Sequence, residues 1–474
     1  MEMITLVLLV CSILSRKVYA YSEQCFADIE DPYAYFGTKT AYYSSRASKI
    51  ITEENCTPTY VWALIRHGTR YPSSNFITSV NKLNILRDEI ISNHKDGRGK
   101  LCQKDLENLQ KWKSSLTVEL DDQLTPQGKS EQIFLAQQLK EAFPEVLRSS
   151  NKDTVLFQSS MAKRAKDSAI AFSNELLGTN FASVDGNHIT ENENILHVNK
   201  HCPNFEKNVE NNPSTYKEVE LFKKSDVIKN SILDISARLG YKQSLPYDSV
   251  ELMYNICAYE TAWDLNSRPA FCAAFLPEDF KVFEYLNDLE DYHARGYGSS
   301  YSEKIGCVTV RDMMMSLHNA AENPQSTRKA TFHFSHSEMI VPTTVKLGLN
   351  LDVEPLIHTN YNRMKSNRKW RLASFDSFAS NIIAVLYKCP STNGTRNIVS
   401  FYQNEHKVIL PKCTTNPCTL DNLEQNFNDV LDEEKCNLKF CYESQPLKTS
   451  SSSGCSVVLN LSVLVSCIVL AYFT

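Results

Sequence analysis

The sequence predicts an α/β fold, a buried sheet covered by helices with a mainly helical cap inserted into it. Three observations carry this reading. Residues 60–65 (YVWALI), 154–157 (TVLF) and 330–334 (ATFHF) are short, continuous apolar runs. Runs that are apolar on both strand faces belong to sheets covered on both sides. Helical patterns lie between them, and residues 180–325 carry little strand pattern. The core is therefore expected over about 21–170 and 326–445, with the cap over about 171–325.

Each element has a local reason. Thr125 is an N-cap residue followed by Pro126 in the first turn, and the amphipathic stretch 130–139 continues that helix. Residues 278–297 read as one long helix. Phe280, Phe283, Leu286 and Leu289 recur at three- and four-residue spacing, a stripe facing a core. Residues 381–387 (NIIAVLY) predict a further strand, and 398–403 with 407–410 predict a strand and hairpin.

Composition narrows the class. The chain has 474 residues, 42% hydrophobic and 22% charged, with 14 Gly and 17 Pro. Such a composition excludes collagen, a coiled-coil rod and general disorder. A net charge of −5 argues against a general nucleic-acid binder. An anionic substrate then needs local positive charge.

Both ends read as targeting segments. Residues 1–20 have the apolar core and the Val18-Tyr19-Ala20 ending of a secretory signal. Residues 457–473 are apolar and uncharged, and Ser450 to Gly454 are small. That pattern predicts a Ser-rich linker over 446–456 with a glycosylphosphatidylinositol attachment region within 449–454, then a tail over 457–474 that is removed, the alternative being a tail retained as a membrane anchor. The expected location is the extracellular face of the plasma membrane, with the endoplasmic reticulum lumen or free secretion as alternatives.

Of the 15 Cys, Cys11 lies in the leader and Cys455 and Cys467 lie in or beside the tail. Twelve remain, an even number suited to as many as six disulfides in a secretory chain. Cys413/Cys418 and Cys436/Cys441 are close enough in sequence to form local staples. No repeated CxxC spacing marks a zinc site. Asn55 and Asn393 open Asn-x-Thr glycosylation sequons.

The chemistry starts at the first strand's end. Arg66-His67-Gly68-Thr69-Arg70-Tyr71-Pro72 puts two Arg and one His in one loop. Ligands in α/β folds bind at the carboxyl ends of strands. Guanidinium groups present paired donors to phosphate oxygens. Two flanking cations keep the His67 ring neutral, which suits a nucleophile that meets a dianion. The strand at 330–334 ends at His336-Ser337-Glu338, where a carboxylic acid stands two residues from a second His. Such an acid can protonate a leaving alkoxide. His333, on the same strand, reads as a packed or surface residue. Arg164, with Lys163 and Lys166, reads by itself as a solvated helix face.

The loop Arg66 to Pro72 resembles the RHGxRxP element of the histidine phosphatases, in the histidine acid phosphatase branch. Phe36-Gly37-Thr38-Lys39-Thr40 and Arg295-Gly296-Tyr297-Gly298 resemble elements of the multiple inositol polyphosphate phosphatases. So do Glu284 to Leu289, Phe334 to Glu338 and Phe378 to Asn381, while Leu124 to Gly128 resembles the LTPxG helix start of the branch and Ser159-Ser160 with Arg164, Ser168 and Ala169 resembles its segment with the third phosphate-binding Arg. Ser335 and Ser337 depart from the usual Gly and Ala. The ending Ala471-Tyr472-Phe473-Thr474 lacks the retention tail associated with vertebrate members.

The resemblance implies a three-layer α/β core and a phosphomonoesterase without metal or cofactor. Its substrates would be inositol polyphosphates, with 2,3-bisphosphoglycerate suggested as a further one. His67 would be the nucleophile and Glu338 the proton donor. Arg66, Arg70, Arg164 and His336 would hold the transferred phosphoryl group. Lys39 would meet a neighbouring phosphate, the plain alternative being an ordinary surface Lys. Two other readings compete: a general secreted acid phosphatase and a catalytically dead, lipid-anchored receptor.

Overall fold

A computed structural model describes residues 25–26, 35–178, 186–392 and 394–443. The leader, Asn393, the Ser-rich linker and the apolar tail lie outside the described residues. Within them, no helix is long and apolar enough to cross a membrane.

One mixed sheet organises the chain. Its strands are β1 (Thr57–Arg66), β2 (Val155–Ser159), β3 (Ile189–Glu191), β4 (Ala330–Ser335), β5 (Asn381–Ser391), β6 (Gly394–Gln403), β7 (His406–Val408) and β8 (Cys418–Thr419). The spatial order is β3-β2-β4-β1-β5-β6-β7, with β8 paired to β6. β1, β2, β3 and β4 run parallel, whereas β5 is antiparallel to β1. Every expected strand is present. β3, three residues long, was not anticipated and sits inside the stretch read as cap. So short a run carries no periodicity to read.

The apolar run in β1 is continuous because both of its faces are covered. Trp62 and Leu64 pack with Val310, Met313 and Leu317 from the helix Ser302–Glu322. Val61, Ala63 and Ile65 pack with Leu135, Phe172 and Phe332 on the other side. The side-chain period of two puts alternate residues into two separate cores.

The cap is built from more than the inserted stretch. Helices Lys82–Lys95 and Gln103–Lys111 place Leu83, Leu86, Ile90 and Leu109 in one core with Phe222, Ile235, Met253 and Phe283. The last helix of the insert, Ser302–Glu322, belongs instead to the sheet layer. The helix Pro277–Ala294 buries Phe280, Phe283, Leu286 and Leu289 as the stripe predicts, but stops three residues short of Tyr297.

A buried ion network ties cap to core. Arg368 donates to Glu284 Oε2 at 2.6 Å and, through Nε, to Asp288 Oδ2 at 2.9 Å, with all three side chains buried. Asp288 Oδ1 also accepts from the Leu372 backbone at 3.0 Å. The segment that carries Asp376 toward the sheet is thereby pinned to the cap helix.

All twelve expected cysteines pair, as Cys25–Cys102, Cys56–Cys389, Cys202–Cys441, Cys257–Cys272, Cys307–Cys436 and Cys413–Cys418. Cys413–Cys418 is the local staple expected. Cys436/Cys441 is not a pair. The short turn between them sends Cys436 to the helix Ser302–Glu322 and Cys441 to the segment before Pro203. Asn55 is exposed just before β1.

Candidate active site

Register brings the chemistry together. Arg66 is opposite Ser335, and Ser159 is opposite Phe334, so the loops after β1, β2 and β4 leave the sheet at one level. His67 N donates to Ser335 O at 2.9 Å, and Ser160 N donates to Phe334 O at 3.1 Å.

The loop after β1 is set by two glycines. A Cβ on Gly68 would lie 2.3 Å from Gly128 O, and one on Gly128 would lie 2.2 Å from Thr69 O. Only glycine at both positions lets the loop lie on the start of the helix Pro126–Ala142. Thr125 caps that helix by accepting from Gly128 N at 3.0 Å, and its hydroxyl donates to Thr69 O at 2.9 Å. Glu131 accepts from Thr69 N and from Thr69 Oγ1, each at 2.7 Å. Burial pushes the Glu131 carboxyl up to about 7 against the pull of those bonds.

His67 is buried, and its Nδ1 lies 2.8 Å from Gly68 O. A carbonyl only accepts, so Nδ1 carries the proton and Nε2 keeps its lone pair. Burial, then the cations of Arg164 and Arg66, hold the ring well below its ordinary pKa. The imidazole is therefore neutral at physiological pH, as the flanking cations predict.

Three arginines surround it. Arg66 Nη1 donates to Thr38 O and Asp376 O, each at 2.7 Å, and its guanidinium lies 3.9 Å from Asp376 Oδ1. Burial pushes the Asp376 carboxyl up to about 7, against the opposing pull of Arg66. Arg70 Nη1 reaches Asp122 Oδ1 at 2.6 Å, and Arg164 Nη1 lies 3.9 Å from Asp122 Oδ2. The solvated reading of Arg164 is corrected here. Lys163 and Lys166 are the exposed members, paired with Asp167 and Glu191, whereas Arg164 turns inward beside Arg70.

Facing them, His336 Nε2 lies 2.7 Å from Ser160 Oγ, and its ring is 5.4 Å from that of His67. Nε of Arg66, Arg70 and Arg164, and Nδ1 of His336, are buried and find no hydrogen-bond partner among the described residues. Buried donors of this kind are normally satisfied. Their donor set fits a tetrahedral oxyanion.

Glu338 lies in the first turn of the helix Ser337–Leu347. Its Oε1 accepts from Arg295 Nη1 at 2.9 Å. Burial opposes ionisation, but Arg295 and His336 overcome it and hold the carboxyl well below the usual range. Lys39 stands in the turn Gly37–Lys39, next to the carbonyl that receives Arg66. Its Nζ is 6.0 Å from the ring of Tyr259, a residue that also interacts with Arg70. His333 is packed, with Nε2 at 2.7 Å from Asp312 Oδ2. Asn55 lies outside the site, in the loop before β1.

Asp122, Asp376, Glu131 and His197 carry no sequence signal. The His197 ring lies against that of His336, tilted at 35° with centroids 4.4 Å apart. Arg295 sits inside a quoted motif, but no spacing rule joins it to Glu338, 43 residues on.

A neutral histidine among three guanidiniums, at the carboxyl edge of a covered sheet, marks an α/β enzyme whose site suits a phosphate ester. Residues 59–404 match the model of the histidine phosphatase superfamily (branch 2), and the chain belongs to that family. It is 32% identical to "Multiple inositol polyphosphate phosphatase 1" of Drosophila melanogaster, over 92% of this chain and 93% of that one. Its fold is similar to that of the phytase from D. castellii, with a TM-score of 0.69 and 16% identity, covering 90% and 91% of the two chains. It is also similar to a Bifidobacterium longum multiple inositol polyphosphate phosphatase in complex with inositol hexasulfate. That match has a TM-score of 0.62 and 17% identity, over 85% of this chain and 99% of the other. The expected family and fold class are borne out.

Proposed function

We propose that this chain is a phosphomonoesterase that removes phosphates from inositol polyphosphates through a phosphohistidine. The observation that carries the reading is the Nδ1 contact of His67 with Gly68 O at 2.8 Å, which leaves Nε2 unprotonated amid three arginines. The naming of the relatives supports the substrate class.

In the first step His67 Nε2 bonds to phosphorus as the P–O bond to the leaving alcohol breaks. The leaving oxygen takes a proton from Glu338. Arg66, Arg70, Arg164 and His336 hold the non-bridging oxygens and stabilise the charge they carry. In the second step water attacks phosphorus and gives a proton to Glu338. The N–P bond then breaks and its electron pair returns to His67. Glu338 is ionised at rest beside Arg295, which suits the second step. For the first it must be protonated, and a bound phosphate dianion favours that by cancelling the surrounding positive charge. Lys39, at the rim, serves a further phosphate of the same substrate.

The catalytic unit spans about 21–445, between a leader over 1–20 and a Ser-rich linker over 446–456 that carries the lipid attachment region ahead of its hydrophobic signal over 457–474. Six disulfides and the Asn55 sequon suit a secretory route to the cell surface. Release of the protein from intact cells by a phosphatidylinositol-specific phospholipase C tests the anchor; retention on the cells rejects it.

The activity is tested by phosphate release from inositol hexakisphosphate in EDTA, beside His67→Ala. Release by the wild type alone is expected. Release only from simple aryl phosphates would turn the reading to a general acid phosphatase. No release from either would favour the receptor reading.

A further inference from the structure

Asp122 stands where the two outer arginines meet. Its Oδ1 is 2.6 Å from Arg70 Nη1, and its Oδ2 is 3.9 Å from Arg164 Nη1. The surrounding loop is pressed onto the His67 loop. Asp122 N donates to Pro72 O at 3.2 Å, Tyr71 N donates to Gln123 O at 2.9 Å, and Arg70 bridges Leu124. Asp122 itself has φ of 52°, a left-handed conformation. Aspartate adopts that region more readily than most residues, which suits the tight turn here. Its neighbour Asp121 has an ordinary task, accepting from Ser74 N at 2.7 Å.

The Asp122 carboxylate thus shares both cations that a phosphoryl group would use. Without an anion between them, two adjacent guanidiniums repel each other. With a phosphoryl dianion bound, the same carboxylate lies close to like charge. Asp122 is 39% exposed and the two arginines 22%, so the effect is screened but not abolished.

We propose that Asp122 is a positioning residue that acts as a built-in counter-anion. It holds Arg70 and Arg164 side by side in the free enzyme, and it weakens the grip of the site on inorganic phosphate so that product leaves. This rests on the phosphatase reading above.

The test is calorimetric binding of inorganic phosphate to the full chain at fixed pH and about 0.15 M salt. Asp122→Asn keeps an acceptor for Arg70 and removes the charge. It should bind phosphate on the order of tenfold tighter, with kcat and KM both lowered and product inhibition stronger. Asp122→Glu, which keeps the charge, should stay within about threefold of the wild type. Mere loss of structure would weaken binding, not tighten it. Unchanged or weaker binding by Asp122→Asn, with wild-type binding intact, overturns the counter-anion role alone. A wild type that binds no phosphate overturns the phosphatase reading and this proposal with it.

Discussion

Arg295 Nη1 donates to Glu338 Oε1 at 2.9 Å, and its Nη2 is paired with Asp291. One guanidinium from the end of the cap helix therefore favours the ionised form of a carboxyl on the sheet side. The helix Pro277–Ala294 stops just before Arg295, which leaves that side chain beside the helix Ser337–Leu347.

Arg295→Gln should move the pH profile. Burial raises the Glu338 pKa and Arg295 lowers it, so loss of the arginine lets burial act unopposed by it. The acid form then persists to higher pH. The alkaline limb of kcat on an alkyl phosphate should shift upward by about one pH unit or more. A limb that stays in place would separate Glu338 from the proton donor.

Glu338→Ala should discriminate by leaving group. A poor leaving alkoxide needs the proton, whereas an aryl oxide needs it far less. Loss on alkyl phosphates should exceed loss on aryl phosphates by about tenfold or more. Equal losses in steady-state assays of both would count against the acid role.

His67→Ala should lower kcat by on the order of 10⁴-fold or more, because the covalent route disappears. Rapid acid-stable-versus-labile quench of ³²P-labelled protein should show label on the wild type only. Turnover near the wild-type rate would sink the nucleophile assignment.

Arg368→Ala should destabilise the chain by roughly 3–5 kcal/mol, since Glu284 and Asp288 lose a buried partner. Urea unfolding measures this. A change below about 1 kcal/mol would show that the network relaxes without it.

Glu260→Gln should change stability with pH. Glu260 accepts from Trp112 Nε1 at 2.7 Å, and burial pushes its carboxyl up to about 7. A raised folded-state pKa contributes stability below the unfolded value, and that contribution is lost as pH rises toward 7. The variant keeps an acceptor and cannot ionise. Relative to wild type it should gain roughly 2–3 kcal/mol between pH 5 and pH 8, read by urea unfolding. A pH-independent difference would refute the assignment.

Features whose signals are local could be read from the amino-acid order alone. Continuous apolar runs marked the covered strands, and Arg66, His67, Arg70, His336 and Glu338 stand at two strand ends where α/β chemistry gathers. Twelve cysteines, enough for six disulfides, were legible as well. Arg164 could be placed only by resemblance, because one arginine in a basic helix face carries no orientation. The partner choice of Cys436 and Cys441, the joining of residues 82–111 to the cap core, and the pairings of Asp122, Asp376 and Arg295 were decided by tertiary structure. The physical reason is common to all of them. Local pattern reports which face of an element is apolar, while contact between residues far apart in the chain depends on how those faces pack together.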